Sequence, residues 1–394
     1  MKKTRREFLT VATAFAGSFP SIAFADDPAE SEITLAPPDD QPEELKIEEK
    51  APKKLGWAVV GLGGLALGEI LPAFSECTMS KPVALVSGHP KKAAKVARAY
   101  DIPEDAIYNY DNFDKIAADP RIDVVYIVLP NSMHAEFTIR ALKAGKHVLC
   151  EKPMAVSVAE GEAMREAADD AGRKLAIAYR LHYEPLNRRV MDWCKERRFG
   201  KIKTFVSSNC QNVKPPNIRL SAKLGGGPVG DVGVYCINAA RYVIGEEPFE
   251  VIATAIQPED DPRFREVAET VAFVLRYPSG VLAVCDCSFG SSESRRYRVH
   301  CEKGFIEMDP AFSYRGLKLK TKEQLPEKES SEAVEVNIRQ VDHFAAEMDA
   351  FSKAILKDAE ILTPASMGIA DMRIIAAIHQ SAQTGQSVRI SQSS

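Results

Sequence analysis

Leu55-Gly56-Trp57-Ala58-Val59-Val60-Gly61-Leu62-Gly63-Gly64-Leu65-Ala66 is the stretch that decides the fold. Its first six residues carry no polar side chain that would mark a wet face, so they read as a buried strand ending at a glycine. In the G-x-G-x-x-A turn that follows, Gly61 permits the tight bend and Gly63 lets the backbone approach a pyrophosphate. Ala66 holds the third position, where a small residue allows close helix–strand packing. A pyrophosphate cradled by Gly61, Leu62, Gly63 and Leu65 would face the free N–H groups at a helix start. Alone such a turn is a weak signal, but here it stands at the head of a strand–helix alternation. Pro72 is expected to end or kink the first helix.

Working outward, further apolar runs recur at Val83–Val86, Val124–Val128, His147–Cys150 and Leu175–Ala178. Amphipathic helices are expected over roughly 133–143 and 157–171. The alternation predicts an α/β domain with a doubly wound parallel sheet over 55–178, whose ligands bind at the carboxyl ends of its strands. Leu129-Pro130-Asn131, Glu151-Lys152-Pro153 and Tyr179-Arg180 all fall at such ends. The second strand runs into Ser87-Gly88-His89-Pro90-Lys91-Lys92. An acid commonly stands here to bind a ribose 2′-hydroxyl, and it would repel a 2′-phosphate. Ser87 and Lys92 would instead hold that phosphate, so the expected cofactor is NADP rather than NAD. The competing reading makes Lys91 and Lys92 decoration on an exposed helix start.

A lysine at the end of a buried strand is costly without a partner, which singles out Lys152. Asp231-Val232-Gly233-Val234-Tyr235 places a carboxylate and a phenol four residues apart, on one face if helical. A cofactor turn, a buried lysine and an acid–phenol pair together suggest hydride transfer at a polyol or sugar carbon. Each has a plainer alternative: Asp231 as a helix N-cap after Gly230, Tyr235 as a core aromatic, Arg180 as a surface ion pair.

At 394 residues, 45% apolar and 27% charged, the chain suits two globular domains. The first 25 residues carry Lys2, Lys3, Arg5 and Arg6 against Glu7, so removing that +3 takes the net charge from −4 to −7. Nucleic acid and anionic membrane surfaces are poor partners for such a chain. The cysteines at 77, 150, 194, 210, 236, 285, 287 and 301 show no C-x-x-C and read as buried thiols. The seven histidines lack metal-ligand spacing, so no metal is expected. Thr4-Arg5-Arg6-Glu7-Phe8-Leu9, a mildly apolar stretch and Ala23-Phe24-Ala25 read as an export signal with paired arginines, expected to deliver a folded protein to the periplasm. Residues 26–54, rich in Pro, Asp and Glu, are expected to form an arm without an independent fold. No membrane anchor is indicated.

These motifs resemble the Gfo/Idh/MocA oxidoreductases. The resemblance is carried by Val60-Gly61-Leu62-Gly63, Leu85-Val86-Ser87-Gly88, Leu129-Pro130-Asn131-Ser132, His134-Ala135-Glu136-Phe137, Cys150-Glu151-Lys152-Pro153 and Asp231-Val232-Gly233-Val234-Tyr235. The tyrosine ending the last motif, Ser87 and the export signal narrow the likeness to the family's periplasmic glucose–fructose branch. The resemblance implies a C-terminal α+β domain over 179–394 with a large open, mainly antiparallel sheet used for subunit contact. It implies a homo-oligomer, dimer or tetramer, and NADP held without release. The roles it implies are Tyr235 as acid/base at the sugar oxygen, Lys152 as its electrostatic partner and Asp231 as the orienting group. Tyr110, His134, Glu151 and Arg180 join the implied cofactor contacts, although packing explains Tyr110 equally well. The activity implied is oxidation of an aldose at C1 and return of the hydride to a second sugar. An NADP-dependent aldose dehydrogenase with exchangeable cofactor and an NAD-dependent glycosidase of the same superfamily are the alternatives. Strand-like runs at 200–212, 249–257, 269–277 and 280–289, and helices near 229–244, 340–357 and 364–383, fit the second domain. Polar residues at 205–227 and 288–298 are expected to shape the pocket, and His147 and His182 to be packed or hydrogen-bonded.

Overall fold

Six strands, buried where they carry no polar face, form the first layer of the computed structural model, which describes residues 53–324 and 332–391. The expected export signal and nearly all of the acidic arm lie outside the described residues. The strands are β1 (Leu55–Val60), β2 (Ser80–Val86), β3 (Ile107–Tyr108), β4 (Val124–Ile127), β5 (His147–Glu151) and β6 (Leu175–Ala178). They pair in parallel in the order β3-β2-β1-β4-β5-β6. The order reverses between β1 and β4, which opens a crevice at their carboxyl ends. Gly61 makes the bend there: its φ is +96° and its N–H donates to the Val86 carbonyl at 2.9 Å.

The helix after that turn is a composite. A π turn (Ala66–Ile70) leads into α1 (Leu71–Ala73) and a 3₁₀ turn (Phe74–Glu76). Pro72 has no N–H to return to the carbonyl of Gly68, and the helix widens just ahead of it. The expected break is therefore a change of winding, with the helix running on to Glu76. The connecting helices α2 (Pro90–Ala99), α3 (His134–Lys143) and α4 (Val158–Ala171) follow the apolar spacing, and Ser157 caps α4 by accepting from the Glu160 N–H.

After α5 (Pro185–Lys195), β7 (Ile202–Cys210) and α6 (Val234–Ile244), the chain builds β8 (Glu250–Ile256), β9 (Thr270–Arg276), β10 (Leu282–Ser288), β11 (Ser294–Cys301), β12 (Gly304–Met308), β13 (Leu319–Glu323) and β14 (Val334–Val336). Helices α7 (His343–Leu356) and α8 (Ala365–Thr384) and strand β15 (Val388–Arg389) close it. The nine strands run β14-β13-β12-β11-β7-β10-β9-β8-β15. Only β7 and β10 pair in parallel, so this sheet is mainly antiparallel, as expected. One face is covered by helices and the other is open, with Val206, Ile252, Leu282 and Val284 exposed on it.

The expected boundary at 178/179 separates the sheets but not the helices. Helix α7 returns to the first sheet: Trp57 of β1 donates to Ser352 at 3.1 Å, and Asp349 accepts from the backbone of Thr78 and Met79. Helix α8 packs on α4 and β6, so C-terminal helices complete the N-terminal layer. All eight cysteines are unbridged and all but Cys301 are buried. Cys285 and Cys287 share the inner face of β10, as an i, i+2 pair on a strand must. No helix among the described residues is long and apolar enough to cross a membrane.

Candidate active site

A cavity of about 480 Å³ opens at the strand ends of the first sheet. Gly61, Leu62, Gly63 and Leu65 line it after β1, Ser87 and Lys92 after β2, and Leu129, Pro130 and Asn131 after β4. Glu151 and Lys152 enter from β5 and Arg180 from the 3₁₀ turn after β6, while Tyr110 and His134 also border it. The far wall holds Asp231 and Tyr235, with Arg219, Gly225, Gly226, Tyr314 and Phe344 from the second half of the chain. Two expected contacts lie outside this lining. Ala66 is fully buried under the helix, and Gly88 faces the Tyr110 ring, where a Cβ would stand 3.1 Å from Cε2. Segment 288–298, expected to shape the pocket, does not line it: it runs from the end of β10 into β11.

The Lys152 ammonium donates to the Asp231 backbone oxygen at 2.8 Å, lies 3.5 Å from the carboxylate Oδ1, and sits 4.7 Å from the Tyr235 ring centroid. Asp231 belongs to a π turn (Val229–Gly233) that feeds α6, so it and Tyr235 project to the same side. This is not an N-cap: the Asp231 carboxylate instead accepts from Arg219 Nε at 2.5 Å and Gln211 Nε2 at 3.3 Å. Gly233 lets the turn press against β10, where a Cβ would stand 2.9 Å from Cys287 Sγ, and Asn209 donates to the Val232 carbonyl at 3.0 Å. Tyr235 is half-buried rather than a core aromatic, packed by Phe312 and by the Lys152 and Arg180 cations. Arg180 is no surface pair. Its guanidinium is buried, donates to the carbonyls of Phe312 at 2.7 Å and Ser313 at 3.2 Å, and stacks on Tyr314 at 4.7 Å.

Electrostatics follow from these contacts. Burial pushes the Asp231 carboxyl up, but Lys152 and Arg219 outweigh it and hold the group below the ordinary carboxylate range. Burial disfavours the Lys152 ammonium, yet Tyr235, Asp231 and Glu151 raise it above the usual lysine value, so it stays charged. Tyr314 is pushed up to about 12, first by burial and then by Tyr235. Arg219 and Tyr314 were invisible as individual residues in the sequence. Arg219 falls in the polar stretch expected to shape the pocket, whereas nothing near Tyr314 announces a role.

At the other end the geometry suits a dinucleotide. A Cβ at Gly61 would press into the Val128 carbonyl, while one at Gly63 or Gly64 would meet no atom within 4 Å. The turn is thus closed toward the protein and open toward the cavity, the cradle a pyrophosphate needs. Ser87 accepts from the His89 N–H at 3.1 Å, and Lys92 reaches the Leu62 carbonyl at 3.3 Å, so both stand at the mouth of the turn. His89, missed in the sequence, lines the same corner. His134 borders the cavity, and its ring nitrogens lie 2.8 Å and 2.9 Å from the Pro153 and Leu129 carbonyl oxygens, so it also ties two strand-end loops together. His182 is paired with Asn238, and His147 accepts from the Lys174 N–H.

Comparison with known proteins places this architecture. The GFO_IDH_MocA family, described as an oxidoreductase family with an NAD-binding Rossmann fold, matches residues 55–179, and the GFO/IDH/MocA C-terminal domain matches 187–307. The D-xylose 1-dehydrogenase [NADP(+)] of Haloarcula marismortui is 31% identical over 345 residues, spanning 85% of this chain and 92% of that protein. The crystal structure of an aldose-aldose oxidoreductase from Caulobacter crescentus, complexed with glycerol, is similar at 40% identity and a TM-score of 0.82. It covers 86% of this chain and 100% of that one. A 3-ketoreductase from Actinomadura kijaniata in complex with NADP shares the fold at 24% identity, with a TM-score of 0.74 over 84% of this chain and 98% of its own.

Proposed function

The chain belongs to the GFO/IDH/MocA oxidoreductase family, and we propose that it is an NADP-containing sugar oxidoreductase that oxidises an aldose at C1 and passes the hydride to a second sugar. One observation carries this reading. A charged lysine, a phenol and a carboxylate converge within one cavity at the mouth of a glycine turn shaped for a pyrophosphate. Gly61–Leu65 would hold the pyrophosphate, Ser87 and Lys92 the 2′-phosphate, and Leu129–Asn131 with Glu151 the nicotinamide end. Bound there, the dinucleotide supplies the acceptor and donor of the hydride.

The residues of the chain manage the proton. With an aldose in the cavity, Tyr235 takes the C1 hydroxyl proton as the C1 hydrogen leaves with its electron pair, giving the lactone. Lys152 stabilises negative charge developing on the oxygen and on the phenol. Asp231, held by Lys152 and Arg219, fixes both orientations. With the second sugar in place, Tyr235 returns a proton to its carbonyl oxygen. Fructose, giving sorbitol, and a second aldose are the acceptors this chemistry admits, and the likeness to an aldose-aldose oxidoreductase favours admitting both. NADP retained between halves makes the cycle ping-pong. The paired-arginine signal supports periplasmic work, where a retained cofactor is an advantage. The open apolar face of the nine-stranded sheet supports a homo-oligomer joined through it.

An NADP-dependent aldose dehydrogenase with exchanging cofactor is the second reading, favoured by the likeness to the D-xylose 1-dehydrogenase. One experiment separates them. One portion of the purified protein is acid-denatured and its released dinucleotide identified; glucose or another aldose is added to a second, native portion while reduced nicotinamide absorbance is followed. Reduction that stops after one turnover and resumes on adding fructose or a second aldose supports the leading reading. Continuous turnover that needs added NADP supports the dehydrogenase, and no reduction by any aldose refutes both.

A further inference from the structure

Residues 211–227 run along the far wall of the cavity, from the end of β7 to the turn that carries Asp231, and they place Arg219 in its lining. The backbone of Arg219 is fixed on both sides. Its N–H donates to the Asn217 side chain at 3.1 Å, and its carbonyl accepts from the Gly227 N–H at 2.9 Å. Gly226 lies so close that a Cβ there would stand 2.4 Å from the same carbonyl oxygen. The segment is pinned to its surroundings as well. Asn131 Nδ2 donates to the Gly225 carbonyl at 2.8 Å, the Ala222 N–H to Glu266 at 3.0 Å, and Arg263 to the Val213 carbonyl at 3.0 Å. Arg219 is therefore held at a set place rather than on a loose loop.

Its side chain uses only one of its nitrogens on the protein. Nε donates to Asp231 Oδ2 at 2.5 Å, while Nη1 and Nη2 have no hydrogen-bond partner among the described residues. The side chain is 41% exposed, against 12% for Lys152, so the unused end of the guanidinium meets open space in the cavity it lines. Water satisfies such donors, and a ligand oxygen that reproduces those hydrogen bonds replaces it at little cost. The planar fork suits a pair of neighbouring acceptor oxygens. Asp231 sets where that pair must lie. Its Oδ1 is 3.5 Å from Lys152 and its Oδ2 holds Arg219, so one carboxylate separates the fork from the groups that act at C1. A sugar with C1 at Tyr235 brings its next two hydroxyls alongside. Asp231 already occupies the guanidinium, so a substrate carboxylate there would meet a like charge, whereas hydroxyl oxygens would not. The phosphates of a dinucleotide have their cradle at the glycine turn, away from this acid.

We propose that Arg219 is a specificity-determining residue, whose terminal nitrogens donate to the C2 and C3 hydroxyls of a neutral aldose while its Nε keeps Asp231 in place. This rests on the sugar-oxidoreductase reading and names the substrate class of that site. Two points of attachment beside the reacting carbon fix the turn of the sugar ring, and with it the face that C1 presents for hydride transfer. Sugars lacking either hydroxyl leave one donor of the fork unpaired in the closed complex, which is the source of the selectivity.

The test is a set of single-turnover reductions of the cofactor-containing enzyme by glucose, 2-deoxyglucose, 3-deoxyglucose and glucuronate, in the parent and in Arg219→Lys. The lysine keeps a cation for Asp231 and removes the fork. The parent should prefer glucose to each deoxy sugar by at least about tenfold in apparent second-order rate, as for a hydrogen bond to a charged group. In Arg219→Lys those ratios should fall to within about threefold, whatever slowing all the sugars share. A parent that treats glucose and both deoxy sugars alike overturns the proposal without recourse to the variant. Equal slowing of every sugar with the ratios kept makes Arg219 a support for Asp231 alone and also overturns it. So does a parent preference for glucuronate that the variant loses, which marks a carboxylate site, or loss of bound dinucleotide with the ratios kept, which marks a cofactor contact. If no aldose reduces the parent at all, the sugar reading itself fails and this inference falls with it.

Discussion

Replacing Lys152 by Met is the most direct challenge to the site. The side chain keeps an unbranched four-atom stem and loses the ammonium, and Asp231 remains partnered by Arg219 at 2.5 Å and Gln211 at 3.3 Å. The fold and the glycine turn should therefore survive. What disappears is a positive charge 4.7 Å from the Tyr235 ring centroid. A unit negative charge at that distance, at an effective dielectric of about 20, is stabilised by about 3.5 kcal/mol. If that charge develops in the transition state, its loss slows hydride transfer by a factor of several hundred, at about 1.4 kcal/mol per decade. The assay is a single-turnover, stopped-flow measurement of nicotinamide reduction by aldose, with dinucleotide content measured on the same sample after acid release. Dinucleotide content equal to the parent with a rate at least about a hundredfold lower supports the assignment. A rate within about threefold of the parent, with cofactor retained, would refute the electrostatic role of Lys152.

Ser87→Asp puts a carboxylate at the mouth of the turn and should shift the ratio of NADP to NAD affinity by at least about tenfold toward NAD; an unchanged ratio in titrations of both dinucleotides removes the argument for a 2′-phosphate site. The glycine turn should split its two glycines by phenotype. Gly61→Ala forces a side chain to φ +96° against the Val128 carbonyl and should lower folding stability by about 2 kcal/mol or more in urea unfolding. Gly63→Ala meets no protein atom within 4 Å and should unfold like the parent while carrying less dinucleotide. His182 is 8% exposed, and its imidazole is pushed down to about 4, chiefly by burial, against the hydrogen bond to Asn238. It is neutral in the fold and titrates near 6.5 when unfolded, so its contribution is intact above pH 6.5 and lost as pH falls toward 4. The stability advantage of the parent over His182→Gln, from urea midpoints, should therefore shrink across that window by up to about 3 kcal/mol; a constant difference would contradict the burial argument.

The parallel sheet was legible because each of its longer strands carries an apolar run that is mostly buried. Periodicity is a local property, and it survives in the sequence. Strands of two or three residues, such as β3, β14 and β15, offer too few positions for any period to register. β11 was missed for another reason. Its outward positions Arg296, Arg298 and His300 mask the buried Tyr297 and Val299, and only the sheet shows which side is wet.

For the site, the chain alone determined the glycine turn, the unusual lysine at the end of β5 and the acid–phenol spacing, because each sits within a few residues and obeys turn or helix geometry. The tertiary structure decided the rest. It assigned Asp231 to Lys152 and Arg219 rather than to a helix cap, bound His134 between two backbone carbonyls, and brought Arg180 over the rings of both Tyr235 and Tyr314. Charge and burial depend on which groups become neighbours when distant segments close on one another, and no spacing along the backbone encodes that distance.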